Sequence, residues 1–465
     1  MAFLNNKLLC SMIALMLICL PSYSQEELDD MDMSEEMEAI DSDEDEGLTS
    51  YIGHYRLGDG INLISPNGGN LNISGLVQAT ANVRKYKDVD KTYNRFRIRR
   101  ARLRFNGIAL HGKLRYRLAL DMVKGSETDT EGAGSMLHDA FVSYRPWGDN
   151  RMQISFGQRS TPTDNIELTM ASHTLSFVER SKITSVFSTI REIGLFVDAS
   201  RKLPFLPGVI RPSIAITDGD GPVSGKKRYE GLKYGARINY LPFGTFRRYG
   251  QSREGDMAYE FTPKLCVGVA YSYATGVSDR RGGRSSGDIL YMNDKKRYEL
   301  PDMGKFVADI NFKYCGFSAL AEFAKTWGYV PNGITARVRN DGSTATDFKV
   351  EGLKGDHPEE YIKAKMLLGW GVNVQMGYMF RNLWSIDARY THIGADKYSF
   401  LNNDLYYNRP DYADVGITKY LTRNYASKIQ LTVGWTRPKG EGRTPDGRNH
   451  SGNEWSADLM YQLKF

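Results

Sequence analysis

At 465 residues the chain is long enough for two or three soluble domains, yet no linker-like stretch divides it after about residue 50, so one large unit is expected. Its formal charge of +6 hides a polarity, because residues 26–46 hold thirteen acidic side chains and no basic one, which leaves the remainder strongly cationic. No stretch after residue 20 has the length and apolarity of a membrane helix, which excludes a helical membrane protein and leaves a soluble β-protein or a β-barrel. The 12% aromatics, with 28 Tyr, and the 46 Gly suit a barrel, in which every second strand residue meets lipid and Tyr crowds the interfaces.

Residues 1–24 read as a signal peptide. Lys7 gives the positive flank, residues 8–20 the apolar core, and Ser22, Tyr23 and Ser24 the cleavage site, leaving Gln25 first. Removal leaves Cys266 and Cys315, which permit one bridge and have no metal-like or redox-like spacing; both are expected to be structurally minor. Residues 25–50 form an acidic segment that repels itself and buries nothing, so it is expected to be disordered. A calcium site or a tail that plugs a basic pore are its other readings. A transmembrane antiparallel β-barrel is then expected over residues 51–465.

The first apolar row is Leu71, Ile73, Val77, Ala79 and Val83. Residues 93–123 follow, reading as two strands joined by a tight turn. Ala101, Leu103 and Phe105 alternate with Arg100, Arg102 and Arg104; Leu114, Tyr116, Leu118 and Leu120 alternate with Lys113, Arg115, Arg117 and Ala119. The apolar row changes parity between Ile98 and Ala101, which predicts a bulge near Arg99 and Arg100. A soluble sandwich would bury the apolar faces and solvate the arginines, whereas a transmembrane barrel sends apolar residues to lipid and arginines to a wet lumen.

Rows at 140–144 and 152–156 flank a turn at 146–150. Residues 160–190 lack alternation, and a loop this long in a β-protein is usually functional or disordered; a short helix is expected over 174–181. Later rows fall at 193–197, 210–216, 234–240, 265–273, 306–314, 317–323, 370–380, 384–390, 425–436 and 455–465. Short turns alternate with long polar loops, at 124–136, 160–190, 218–231, 276–302, 328–363 and 394–414, as in a bacterial barrel with short turns on the periplasmic rim and long loops outside. These rows number fifteen, and a ring of this kind needs an even count; Val415, Ile417 and their neighbours up to 421 supply the descending strand, giving about sixteen.

The strings FRIRRARLRFNG (96–107), FGQRSTP (156–162) and FVERS (177–181), with Arg191, Gly194 and the terminal aromatic Phe465, resemble the phosphate-selective porin O and P family. The resemblance implies a sixteen-stranded, usually trimeric barrel in the outer membrane of a Gram-negative bacterium, an inward loop, and an arginine-lysine pathway for small anions such as phosphate or polyphosphate. The expected channel-lining residues are Arg95, Arg97, Arg99, Arg100, Arg102, Arg104, Lys113, Arg115, Arg117, Arg159, Arg180, Lys182 and Arg191. Expected partners are outer-membrane lipid and lipopolysaccharide, the outer-membrane assembly machinery through Phe465, and two further copies of the chain.

Arginine suits such a pathway because its planar fork donates two parallel hydrogen bonds to an oxyanion and stays charged. Rim charges binding lipopolysaccharide and a soluble nucleic-acid face are the competing readings; an arginine facing lipid at the midplane costs roughly 2–4 kcal/mol, so in a barrel these side chains face inward. The seven histidines form no HExxH, there is no GxSxG, and no His-acid pair shares a strand face, so neither a barrel hydrolase, a cofactor nor a metal site is expected. His111 falls in a turn, and His138 beside Asp139 reads as an interfacial polar residue. An adhesin or structural barrel would differ from a porin in lacking conductance.

Overall fold

The computed structural model describes residues 51–52, 55–65, 69–123, 136–219, 221, 231–277, 288–339, 342–402 and 409–465; the signal peptide and acidic segment lie outside these residues. Among the described residues, sixteen long antiparallel strands close into one ring, and the short strands Tyr51–Ile52, Ile61–Ile64 and Arg201–Leu203 pair onto the same sheet. The long strands are β1 Asn70–Tyr86, β2 Thr92–Ala109, β3 Leu114–Asp121 and β4 Leu137–Tyr144. Next come β5 Met152–Arg159, β6 Glu192–Ala199, β7 Leu206–Thr217 and β8 Lys233–Leu241. Then follow β9 Lys264–Ala274, β10 Asp302–Tyr314, β11 Phe317–Tyr329 and β12 Gly369–Met379. The ring ends with β13 Trp384–Ala395, β14 Asp411–Tyr420, β15 Ser427–Arg437 and β16 Glu454–Lys464. Each long strand pairs with its successor, and β16 pairs with β1 from Glu454↔Tyr86 to Lys464↔Leu76, so the ring of described long strands closes on itself. The strand expected around 415–421 is β14.

Alternation decides which way each strand faces. In β12, Met376 is 52% exposed on the outside while Asn373, at 0%, points in. Apolar residues outside and polar residues inside invert the soluble pattern, which disposes of the sandwich reading. In β2 the register passes from Gln78↔Arg100 to Ala79↔Ile98, so Arg99 is the bulged residue that absorbs the parity change. Leu110, His111 and Gly112 turn the chain into β3 with positive φ.

The ring closes on a glycine. Gly75 N–H donates to the Phe465 carbonyl at 2.6 Å, Phe465 N–H donates back at 2.9 Å, and a Cβ at Gly75 would stand 2.6 Å from the Phe465 ring. Gly75→Val is expected to displace that ring and to cost about 1–3 kcal/mol, the ordinary penalty for overpacking. A lower thermal midpoint of the folded barrel, read by its shifted mobility in unheated gels, checks this; an unchanged midpoint contradicts it.

Three expectations need correction. Residues 174–181 are not helical; α1 Ile166–Thr169 and α2 Lys182–Phe187 flank them. Ser181 caps α2 by accepting from Thr184 N–H at 3.3 Å, while the backbone of 175, 176 and 178 is committed to side chains elsewhere in the barrel. Secondly, the connection between β8 and β9, residues 242–263, sits on the short-turn rim but is long and folded into the lumen, with Phe246 and Glu254 buried. Thirdly, the loops expected at 276–302 and 328–363 carry structure of their own: Asp288–Asn293 pairs with Ile334–Arg339, and Tyr298–Glu299 and Thr344–Ala345 complete a four-stranded sheet. Leu290, Val338, Phe348 and Met366 pack beneath it, which is why those loops contain apolar residues at all.

Candidate functional site

An irregular segment inside a barrel needs partners for its peptide groups, and the inward polar side chains of the wall supply them. Residues 160–191 cross the lumen on this principle. Ile166 N–H donates to Asp309 of β10 at 3.1 Å, and Asn165 Nδ2 donates to Glu322 of β11 at 2.7 Å. On the opposite wall, Arg102 of β2 donates to Ser172 Oγ at 2.6 Å, Gln462 of β16 to the His173 carbonyl at 3.2 Å, and Lys428 of β15 to the Leu175 carbonyl at 2.5 Å. Asp164 is fully buried between Lys305 and Lys233, and Lys233 also reaches Glu192 at 2.7 Å. Burial by itself would raise the Asp164 carboxyl, but the two ammonium groups hold it below its ordinary range.

Two cavities border this crossing. An outer cavity of about 620 Å³ is bordered by Arg84, Glu179, Lys182, Arg389 and Arg409, among others. An inner cavity of about 140 Å³ lies against the wall of β2 to β9 and is bordered by Arg102, Arg104, Arg115, Arg117, Arg159 and Arg191. Among the residues bordering these two cavities, Arg180 is the one they share. Its guanidinium donates to the carbonyls of Glu167 and, at 2.6 Å, of Met170, and its Nε is buried without a partner. Neutral carbonyls orient the fork without cancelling its charge, so a full positive charge stands on a residue that borders both cavities.

The other predicted residues divide by what opposes them. Arg97, Arg99 and Arg100 gather on Glu179, at 3.1 Å for Arg97 and 3.6 Å for Arg100, so the crossing segment itself neutralises part of the upper ladder. Arg102 pairs with Asp121 at 2.8 Å and Arg159 with Asp198 at 2.9 Å. Arg191 meets Asp139 at 2.5 Å and His138 at 2.8 Å, which places His138 in a buried cluster and not at an interface. Arg117 donates to Asn106 at 2.6 Å, and Arg104 and Arg115 are buried beside the inner cavity. Lys182 borders the outer cavity over the Tyr412 ring. Arg95, at the long-loop end of β2, and Lys113, in the β2–β3 turn, are exposed and border neither cavity.

Arg211, Arg237 and Arg389 also reach the lumen and were not among the expected residues. Parity announces two of them: Arg237 stands between Ala236 and Ile238, and Arg389 between Ala388 and Tyr390, on the face opposite each apolar row. Arg237 is 2% exposed and ion-paired with Asp309, and Arg389 pairs with Asp414 at 2.8 Å.

Residues 71–245 match the family described as phosphate-selective porin O and P. No curated protein matches the sequence. Among solved structures, the chain is similar to an anion-selective porin from Comamonas acidovorans, with 9% identity, TM-score 0.47, and coverage of 85% of this chain and 100% of that one. It is also similar to the outer membrane channel DcaP of Acinetobacter baumannii, with 14% identity, TM-score 0.46, and coverage of 86% and 99%. OprB of Pseudomonas putida gives 10% identity, TM-score 0.47, and coverage of 86% and 94%. What those barrels conduct is a property of those barrels.

Proposed function

We propose that this protein, whose residues 71–245 match the phosphate-selective porin O and P family, is a channel of a Gram-negative outer membrane that conducts small anions by passive diffusion. The observation that carries the reading is Arg180, a guanidinium held by two carbonyls and bordering both the outer and the inner cavity. An anion drawn into the outer cavity meets this charge before it reaches the bank of Arg104 and Arg115. The walls are low in dielectric, which focuses the field of those arginines into the water between them. Conduction asks for attraction without trapping, and the carboxylates of Glu179, Asp121, Asp139 and Asp198 moderate the total charge.

Phosphate fits the donors because a planar fork matches an oxyanion pair better than it matches chloride. The working assembly in this reading is a homotrimer set among lipopolysaccharide, delivered by assembly machinery that reads Phe465. A planar-bilayer recording in a potassium chloride gradient tests the function. The reversal potential is expected on the anion side, moving toward zero as salt rises, because screening shortens the field to about 10 Å at 0.1 M. Added inorganic phosphate is expected to reduce the chloride current. A cation-selective potential, or no conductance from inserted protein, overturns the reading.

A further inference from the structure

Residues 242–263 enter the lumen from the rim opposite to the one that sends in residues 160–191. Their seat is built from both sides. Lys313 of β10 donates to the carbonyls of Gly250 and Arg253 at 2.7 and 2.9 Å, and Asn311 of the same strand donates to the Gln251 carbonyl at 3.4 Å. The Asp256 carboxylate accepts from Gly316 N–H at 2.8 Å and from Glu260 N–H at 3.0 Å, while Cys315 N–H donates to the Glu260 carbonyl at 2.8 Å. Phe246, fully buried, packs in one cluster with Ile166 and Met170 of the crossing segment.

One residue ties the two segments together. Glu254, 3% exposed, accepts through one oxygen from Ser176 N–H at 2.7 Å and from Gln375 Nε2 of β12 at 2.8 Å, and its carbonyl accepts from the Tyr425 hydroxyl at 3.2 Å. Each such hydrogen bond contributes about 1 kcal/mol net, and the buried Ser176 N–H and Gln375 amide would lose their acceptor if the segment withdrew. Withdrawal therefore disrupts a connected set, which makes the segment a fixture of the lumen. It covers the side of β10, β12 and the β14–β15 turn, and its Gln251 and Ser252 border the same inner cavity as Arg104 and Arg115.

We propose that residues 242–263 are a second constriction element, a resident wall latched to the crossing segment through Glu254, which closes one side of the lumen and steers the permeating anion along the arginine bank of β2 to β9. Gln251 and Ser252 are the specificity-determining positions of this wall: neutral, polar, and bordering the same cavity as the arginine bank. The inference rests on the anion-channel reading and deepens it.

The test uses the full chain in planar bilayers. Replacing residues 246–260 by a short Gly-Ser linker is expected to raise single-channel conductance about twofold or more and to bring the anion-to-cation permeability ratio close to one. Ser252→Trp, which keeps the segment, is expected to cut conductance about twofold or more and to exclude larger anions first. If wild type is anion-selective and both variants behave as wild type, the wall is no part of the pathway. If the shortened chain does not insert, Ser252→Trp decides alone, and an unchanged conductance there overturns the inference. A wild type without anion selectivity removes the channel reading itself, which is a different failure.

Discussion

Arg180→Glu is expected to reverse the ion preference of the channel, or at least to lower the anion-to-cation permeability ratio about tenfold. Two unit charges about 4 Å apart interact by roughly 4 kcal/mol at an effective dielectric near 20, and reversal changes the local charge by two units. About 1.4 kcal/mol already corresponds to a factor of ten, so a large effect survives considerable screening. The carbonyls of Glu167 and Met170 that hold the guanidinium would face the new carboxylate, which therefore turns away from them and into the water. Arg180→Gln, which keeps donors for those carbonyls, is expected to give about half the logarithmic change. Reversal potentials from correctly inserted protein decide the matter; a value equal to wild type for both variants would place the selective charge elsewhere.

Asp164→Ala is expected to unseat the crossing segment. Asp164 is fully buried between Lys305 and Lys233; without it Lys305 is a buried ammonium that loses its ion pair, and Lys233 retains Glu192. Breaking a buried pair by removing one partner costs roughly 3–5 kcal/mol, part of which the chain avoids by letting the segment lift and water enter. The thermal midpoint should fall, and conductance should rise as the lumen widens. The same link predicts a pH dependence. Because the folded carboxyl is held below its ordinary value, its contribution is present above the unfolded value near 4 and is lost as pH falls through the folded one. A rise in current and noise on acidification of the wild type, with no such change in Asp164→Asn because that variant is already noisy at neutral pH, would confirm this. Identical traces from mutant and wild type would contradict it.

The wall of the barrel was readable from residue types because lipid imposes a period of two on every strand. Trp370, Val374 and Met376 against Asn373 and Gln375, or the slip that marks Arg99 as a bulge, need no knowledge of neighbours. Arg237 and Arg389 stood on legible inward positions for the same reason. The contents of the lumen obey no such period. Residues 174–181 have local composition compatible with a helix, yet Ser176 N–H and Val178 N–H are drawn off by Glu254 and Thr432, which are distant in sequence. Likewise nothing local tells that Glu179 would collect Arg97, Arg99 and Arg100, or that residues 242–263 would turn inward instead of crossing the rim. Contacts between separate loops decide these, and only the folded ring brings the loops together.

The pairing of β16 with β1 also bears on how the molecule is made. Tyr86 meets Glu454 and Leu76 meets Lys464, contacts that join opposite ends of nearly the whole described chain. Bringing such remote ends together costs about 5 kcal/mol of chain entropy on the logarithmic loop-closure law if the intervening strands are not yet in place, and far less once fifteen of them already form a curved sheet. Zippering from neighbour to neighbour is thus the cheap route, and the seam at Gly75 and Phe465 comes last, held until then as two unpaired edges. A chain caught before that step would be open to strand exchange with another copy, so speed of closure, more than final stability, governs the yield of monomeric rings.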